Sequence, residues 1–157
     1  MSAIADPVAL ETHVARLRAR IGTTGPVITR RMERGPLVKF ARATGHEDLP
    51  PDAAEEPAIA PPTYVSTFAD EAMAGFFDLA IPGLDMFLHT EDAVTLGVPI
   101  RAGDEIRASA TYADVYLRAG RAGPLLFQVA DLLLVNQHGA PAATLRVSMA
   151  SFASPVA

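Results

Sequence analysis

The sequence predicts an α+β protein in which an antiparallel β-sheet wraps around one central α-helix. Two stretches carry this expectation. In Ala60-Pro61-Pro62-Thr63-Tyr64-Val65-Ser66-Thr67-Phe68-Ala69-Asp70-Glu71-Ala72-Met73, the residues Val65, Phe68, Ala69, Ala72 and Met73 recur at helical spacing, and Phe76 continues the series. One stripe of that helix is therefore apolar. From Leu84 onward the chain reads almost entirely as strands separated by short turns, the pattern of an antiparallel meander. A lone apolar helix followed by such a run buries both when the sheet curls round the helix.

The remaining elements fall into place in order. Asp6-Pro7 is a helix start, an N-cap residue followed by proline at the first helical position. Leu10, Val14, Leu17 and Ile21 give the stripe of this N-terminal helix, residues 1–22, and Gly22 ends it. It is expected outside the sheet or over one end. Val27, Ile28 and Thr29 make Pro26 to Met32 a strand. Gly35-Pro36 restarts a helix with Leu37, Phe40, Ala41 and Thr44 on its buried face, and Gly45 closes it. The stretch 46–62 is a long loop holding five prolines and five acids; loops of this length without regular structure are usually functional or mobile. Pro61-Pro62 then excludes helix from the residue before each proline, and the Thr63 hydroxyl is placed to cap the central helix.

In the C-terminal half, Met86, Leu88, Val94, Leu96 and Val98 alternate with Phe87, His89, Glu91 and Ala93 across two faces. Ala102-Gly103-Asp104 is a turn. Ile106, Ala108, Ala110 and Tyr112 alternate with Arg107, Ser109 and Thr111. Leu125 to Val135 is nearly all apolar, as a central strand would be. Ala143 to Phe152 closes the meander, with Leu145, Val147 and Met149 on one face.

Composition narrows the class of function. A chain of 157 residues, half of them hydrophobic, builds a real core and reads as one domain, 1–157. A net charge of −5 argues against nucleic acid as partner, because phosphate binding needs a basic face. Without cysteine there is neither disulfide framework nor thiolate chemistry. Met1 to Pro7 lacks a basic segment followed by an apolar core, so no signal peptide is expected, and no apolar run approaches the roughly 20 residues of a membrane span. A cytoplasmic protein is expected. The four histidines lack metal-ligand spacing, so no metal and no cofactor is expected.

The order Phe40-Ala41-Arg42-Ala43-Thr44-Gly45, a proline-rich loop, Ala60-Pro61-Pro62-Thr63, then Pro99-Ile100-Arg101-Ala102-Gly103-Asp104 resembles the MaoC-like dehydratases, above all the N-terminal type of fatty-acid and polyketide dehydratase subunits. The resemblance covers residues 20 to 153. It implies a hot-dog fold that dimerises through the sheet edge. It also implies action on 3-hydroxyacyl or 2-enoyl thioesters of coenzyme A or acyl carrier protein, with water removed or added. A homodimer, or a heterodimer with a second hot-dog subunit, is the implied assembly. Active members carry an Asp directly after the Thr-Gly pair and a His after a following Asn-Pro. Here Gly45 is followed by His46, and Pro50 by Pro51-Asp52. In this branch, subunits lacking the pair work beside a partner that supplies it.

Dehydration needs a base for the proton beside the thioester carbonyl and an acid for the departing 3-hydroxyl. His46, with Glu47 and Asp48 beside it, stands where the family places its base; a neighbouring carboxylate fixes a histidine's tautomer. The alternative for this trio is a solvated loop. His89, with Glu91 two residues on, is the second candidate, against an ordinary hydrogen-bonded sheet histidine. Backbone amides at Thr63 to Val65 are placed to hold the carbonyl, and Pro62, Thr63, Tyr64, Val65 and Phe68 are the expected substrate-binding residues. His13 and His138 read as surface residues. Two functions follow, a dehydratase or hydratase subunit or a non-catalytic acyl-binding partner in a heteromeric dehydratase; thioesterase activity on the same fold is a third, which a resemblance to the dehydratase branch does not favour.

Overall fold

The computed structural model describes residues 6–46, 58–121 and 123–154. Helix α1 spans Pro7–Arg18, with the Asp6 carboxylate accepting from the Val8 amide at 3.0 Å. It buries Leu10, Val14 and Leu17. Ile21 is exposed, contrary to the expected stripe. The helix stops at Arg18, so the 3.6-residue period no longer governs Ile21. Gly22 follows at φ +87°, and its amide donates to the Tyr112 carbonyl at 2.8 Å. That left-handed turn ties the end of α1 to the sheet.

Strand β1 is Ile28–Arg31, and helix α2 is Arg34–Ala43. Leu37, Val38 and Ala41 are buried on α2, while Phe40 is half-buried and Thr44 is exposed. Gly45 closes the segment at φ +78°. The sheet continues with β2 (Met86–Leu96), β3 (Glu105–Gly120), β4 (Gly123–Val135) and β5 (Pro141–Phe152). Its order is β1-β3-β4-β5-β2, and every pairing is antiparallel. The apolar run 125–135 does form the middle strand. Ile106, Ala108, Ala110 and Tyr112 of β3 are all fully buried on one face, as their alternation requires. Register shifts at Tyr112/Asp114 and His89/Glu91 bend the sheet.

The helical segment at the centre begins at Pro62, where expected, but its winding differs. Pro62–Phe68 is a 3-10 helix, and only Ala69–Ala72, helix α3, is α-helical. Pro61 sits at the N-cap, and no side chain caps the turn, Thr63 included. The reason is local. The Tyr64 amide donates to the Pro61 carbonyl at 2.9 Å, and the Thr67 hydroxyl donates to the Tyr64 carbonyl at 2.8 Å. A hydroxyl that bonds the backbone three residues back competes with α-helical pairing. Gly75 at φ +68° then turns the chain away. The apolar stripe survives the tighter winding: Tyr64, Val65, Phe68, Ala69, Ala72 and Phe76 are all buried.

A polar network underlies this segment. Gln128 is fully buried; its Oε1 accepts from the Tyr112 hydroxyl at 2.9 Å and the Asp78 amide at 3.1 Å, and its Nε2 donates to the Asp78 carbonyl at 2.7 Å. His13 is buried rather than on the surface. Its Nδ1 accepts from Arg16 at 3.1 Å. Its Nε2 lies 3.1 Å from an Asp78 carboxylate oxygen, within ion-pair range but without hydrogen-bond geometry. Arg20 donates to the Phe76 carbonyl at 2.6 Å and lies over the Tyr112 ring at 4.9 Å. The chain after α3 is thereby clamped between α1 and the sheet.

Candidate functional site

A groove of about 230 Å³ opens where the 3-10 segment meets the end of β2. Hydrogen bonds fix its two walls. The Ala60 amide donates to the Ile100 carbonyl at 2.8 Å, and Ile59 bridges Arg101, so the entry to the 3-10 segment lies along the Pro99–Asp104 turn. On the other side, the amides of Gly97 and Val98 donate to the carbonyls of Ala142 and Pro141 at 2.9 and 3.0 Å. A Cβ at Gly97 would stand 2.2 Å from the Pro141 carbonyl oxygen, so only glycine lets β2 approach this closely. Ile59, Pro62, Val65, Leu96, Val98 and Ile100 form most of the lining. Among the described residues, the lining has no polar side chain and no titratable group. The site can hold an alkyl chain, and it offers that chain neither acid nor base.

The expected binding residues divide. Pro62 and Val65 line the groove. Thr63 is exposed outside it. Tyr64 is buried behind it, its ring edge-on to Phe40 at 5.1 Å and to Phe68 at 6.5 Å. Phe68 is fully buried, with the Arg30 guanidinium 4.2 Å from its ring centre. Arg30 also pairs with Glu71 at 2.7 Å and so holds the segment to β1. Of the amides expected to hold a carbonyl, that of Tyr64 is already used within the 3-10 turn.

The expected acid–base residues are not brought together. His46 is exposed at the end of α2; its amide donates to the Ala41 carbonyl at 2.8 Å, and its Nδ1 lies 3.2 Å from the Thr44 hydroxyl. Glu47 and Asp48 lie outside the described residues. His89 is half exposed on β2, and its Nε2 lies 2.7 Å from an Asp92 carboxylate oxygen. Its partner is Asp92 rather than Glu91, because Thr90 is the extra residue of the register shift and moves position 92 to the side of position 89. His89 stands seven residues before Leu96 on β2, roughly 23 Å along a strand. It does not line the groove.

Residues missed by the sequence reading are Ile59, Leu96 to Val98 and Ala142 in the groove, and the Gln128 network beneath the 3-10 segment. Gly97 was the available signal, a glycine inside a strand pattern marking close backbone approach. Gln128, inside a nearly unbroken apolar run, marked a buried hydrogen-bonding duty. Burial pushes the Tyr112 phenol up to about 12, against a smaller opposing pull from Arg20. No group of three or more His, Cys, Asp or Glu that could hold a metal occurs among the described residues. No helix among them is long and apolar enough to cross a membrane.

Comparison with known proteins agrees with this geometry. A family model described as FAS1-like, dehydratase domain region, matches residues 19–145. Comparison with curated proteins by sequence finds no match. Among solved structures, the chain is similar to a MaoC-like dehydratase at 23% identity and TM-score 0.71, over 88% of this chain and 44% of that one. It thus spans under half the length of that relative. It is also similar to the C-terminally truncated HadBC (3R-hydroxyacyl-ACP dehydratase) complex from Mycobacterium tuberculosis, at 21% identity and TM-score 0.65, over 83% and 96% of the two chains. The ChsH1-ChsH2 complex from Mycobacterium tuberculosis matches at 16% identity and TM-score 0.66, over 92% and 96%. At these identities the likeness establishes the fold, a hot-dog arrangement of curled antiparallel sheet and helices.

Proposed function

This chain belongs to the MaoC-like family of FAS1-like dehydratase domains, and on that premise we propose that it is the acyl-binding subunit of a 3-hydroxyacyl-thioester dehydratase. Its groove holds the acyl chain of a thioester on coenzyme A or acyl carrier protein. A sister hot-dog subunit contributes the acid and the base. The single observation that carries this reading is the groove itself. It sits at the start of the central segment, is lined wholly by apolar side chains among the described residues, and opens beside the bare end of β2.

The chemistry explains why that matters. Elimination breaks the C–H bond beside the thioester carbonyl and the C–O bond at the third carbon, leaving a 2-enoyl thioester and water. One group must take the proton while another gives one to the leaving hydroxyl, each within about 3 Å of its atom. An apolar groove positions the chain and excludes water but moves no proton. The edge beside it is ready for a partner: all eleven residues of β2 are exposed, including Met86, Phe87, Leu88, Val94 and Leu96. An open apolar edge of this length is a pairing surface. The HadBC and ChsH1-ChsH2 structures are themselves complexes, which supports a two-subunit assembly here.

A second reading keeps catalysis in this chain, with His46 as base, helped by Asp48. It is favoured by the position of His46 directly after Thr44-Gly45. Turnover of a 3-hydroxyacyl thioester separates the two. The acyl-binding reading expects no turnover by this chain alone, and turnover with a sister subunit that is unchanged by His46→Ala or His89→Ala. If the chain dehydrates the substrate alone and His46→Ala slows it by about 100-fold or more, the second reading replaces the first.

A further inference from the structure

An acyl thioester brings one strongly polar group to the groove, its carbonyl oxygen, and much of the backbone around the groove has no N–H to spare for it. Among the lining residues, Pro61, Pro62 and Pro99 carry no N–H at all. Ala60, Gly97 and Val98 already donate theirs, to the carbonyls of Ile100, Ala142 and Pro141. The Tyr64 amide is taken by the Pro61 carbonyl, and the Arg101 amide by the Asp104 carboxylate at 2.7 Å. A side chain is the natural donor for an oxygen held here.

A cation stands at the groove's lip. Ile59 lines the groove, and Ile59 and Arg101 are partners in an isolated antiparallel bridge. The flanking bonds run from the Ala60 amide to the Ile100 carbonyl and from the Ala102 amide to the Ala58 carbonyl, each 2.8 Å. Ile59 and Arg101 are therefore a non-hydrogen-bonded pair, the kind with Cα atoms about 4.5 Å apart and side chains on one face. The Arg101 side chain thus leaves the backbone beside a groove residue, and Ile100, which precedes it, is another. Arg101 is exposed, and its guanidinium enters none of the ion pairs or cation–π contacts among the described residues. Asp104, the acid of the same turn, accepts from the Arg101 amide and from Gln137 instead.

We propose that the Arg101 guanidinium holds the thioester oxygen of a chain seated in the groove and stabilises the charge that oxygen gains during elimination. The proposal rests on the acyl-binding reading above. When the C–H bond beside the carbonyl breaks, the proton passes to the sister subunit's base and the electron pair delocalises onto the thioester oxygen. The pair then returns to form the carbon–carbon double bond. The C–O bond at the third carbon breaks, and the hydroxyl leaves as water with a proton from the sister's acid. Negative charge sits on the oxygen only between these two events, and a fixed cation beside it lowers the barrier. A guanidinium suits this duty, because it offers several N–H donors in one plane and gives up no proton at ordinary pH.

The test compares octanoate with octanamide. Octanoate carries at the head of its chain the charged oxygen that a thioester acquires only during reaction, and octanamide carries a neutral one. Calorimetric titration is expected to show octanoate binding about tenfold more tightly, the low end for a hydrogen bond to a charged group because Arg101 is exposed. Added salt should narrow the difference. Arg101→Gln should lose this preference while binding octanamide as before. Equal binding of the two ligands by the wild type, or a preference that survives in Arg101→Gln, overturns the proposal and leaves the acyl-binding reading standing. If neither ligand binds, the acyl-binding reading fails and the proposal falls with it. In the dehydratase assembled with its sister, Arg101→Gln should lower kcat about tenfold or more with KM nearly unchanged, the mark of an interaction made chiefly in the transition state. A raised KM with kcat intact would make Arg101 a docking group and overturn the assignment.

Discussion

Tyr112 shows how single residues support the site from behind. Its phenol is buried against the sheet and donates to Gln128, which in turn holds both backbone groups of Asp78. Desolvation favours the neutral phenol and raises its pKa to about 12, from the ordinary tyrosine value near 10. The folded chain therefore holds this proton more tightly than the unfolded one. The stability it contributes is whole below about pH 10 and is lost as pH climbs from there through about 12. Denaturant midpoints measured from pH 8 to 12 are expected to fall over that window in the wild type and to fall less steeply in Tyr112→Phe. The same variant should cost about 0.5–1.5 kcal/mol at neutral pH for the lost hydrogen bond. None of this was visible in the sequence beyond the oddity of a glutamine in an apolar strand. His13 shows the same limit. It read as a surface residue, yet it is buried on α1 with its Nε2 3.1 Å from an Asp78 carboxylate oxygen sixty-five residues away in sequence.

At the scale of elements, the strands were legible and the winding of the centre was not. Strict alternation fixed the buried face of β3, and the apolar run fixed the central place of β4, because both signals come from the two-residue period of a strand. For residues 62–72 the buried pairs Val65/Phe68 and Ala69/Ala72 are each three apart, a spacing compatible with either 3.0 or 3.6 residues per turn. The choice fell to the Thr67 hydroxyl and to Gly75, which hydrophobic periodicity does not weigh. The groove was half legible. Pro62 and Val65 belong to the stripe, but the wall opposite comes from β2 and β5, some thirty and eighty residues away in sequence. Gly97 is the hinge of that wall. Gly97→Ala forces a Cβ against the Pro141 carbonyl. The expected cost is about 1–3 kcal/mol, as for other overpacked sites. A thermal melt unchanged from wild type would show that the end of β2 does not lie as close to β5 as described.

At the scale of the whole molecule, the sheet ends in the short strand β1 at one edge and in the long strand β2 at the other. Strand β2 has β5 on one side and nothing on the other among the described residues, and neither of its faces is covered. Phe87 and Leu88 remain 54% and 57% exposed. We expect this edge to pair with a second hot-dog chain, its own copy or a sister. Phe87→Lys should then weaken assembly by about 2 kcal/mol or more if the ring is an anchor of that contact, as read by native mass spectrometry across a dilution series. A wild-type chain that stays monomeric both alone and with its sister would remove the reason for so bare an edge. The arrangement explains why the site's chemistry was hardest to read. Among the described residues the groove lining has no titratable side chain, so neither candidate histidine of the sequence maps onto it.

The central claim is that the groove between the 3-10 segment and the end of β2 holds an acyl chain. Calorimetric titration with a saturated acyl-pantetheine, which cannot be dehydrated, reads that claim without requiring turnover. Val98→Trp and Ile59→Trp place an indole on opposite walls at positions that are already partly exposed, so the fold should tolerate both. The account predicts measurable binding by the wild type and at least about tenfold weaker binding by each variant, a loss of about 1.4 kcal/mol. Wild-type binding that neither tryptophan weakens, or no wild-type binding at all, would contradict it.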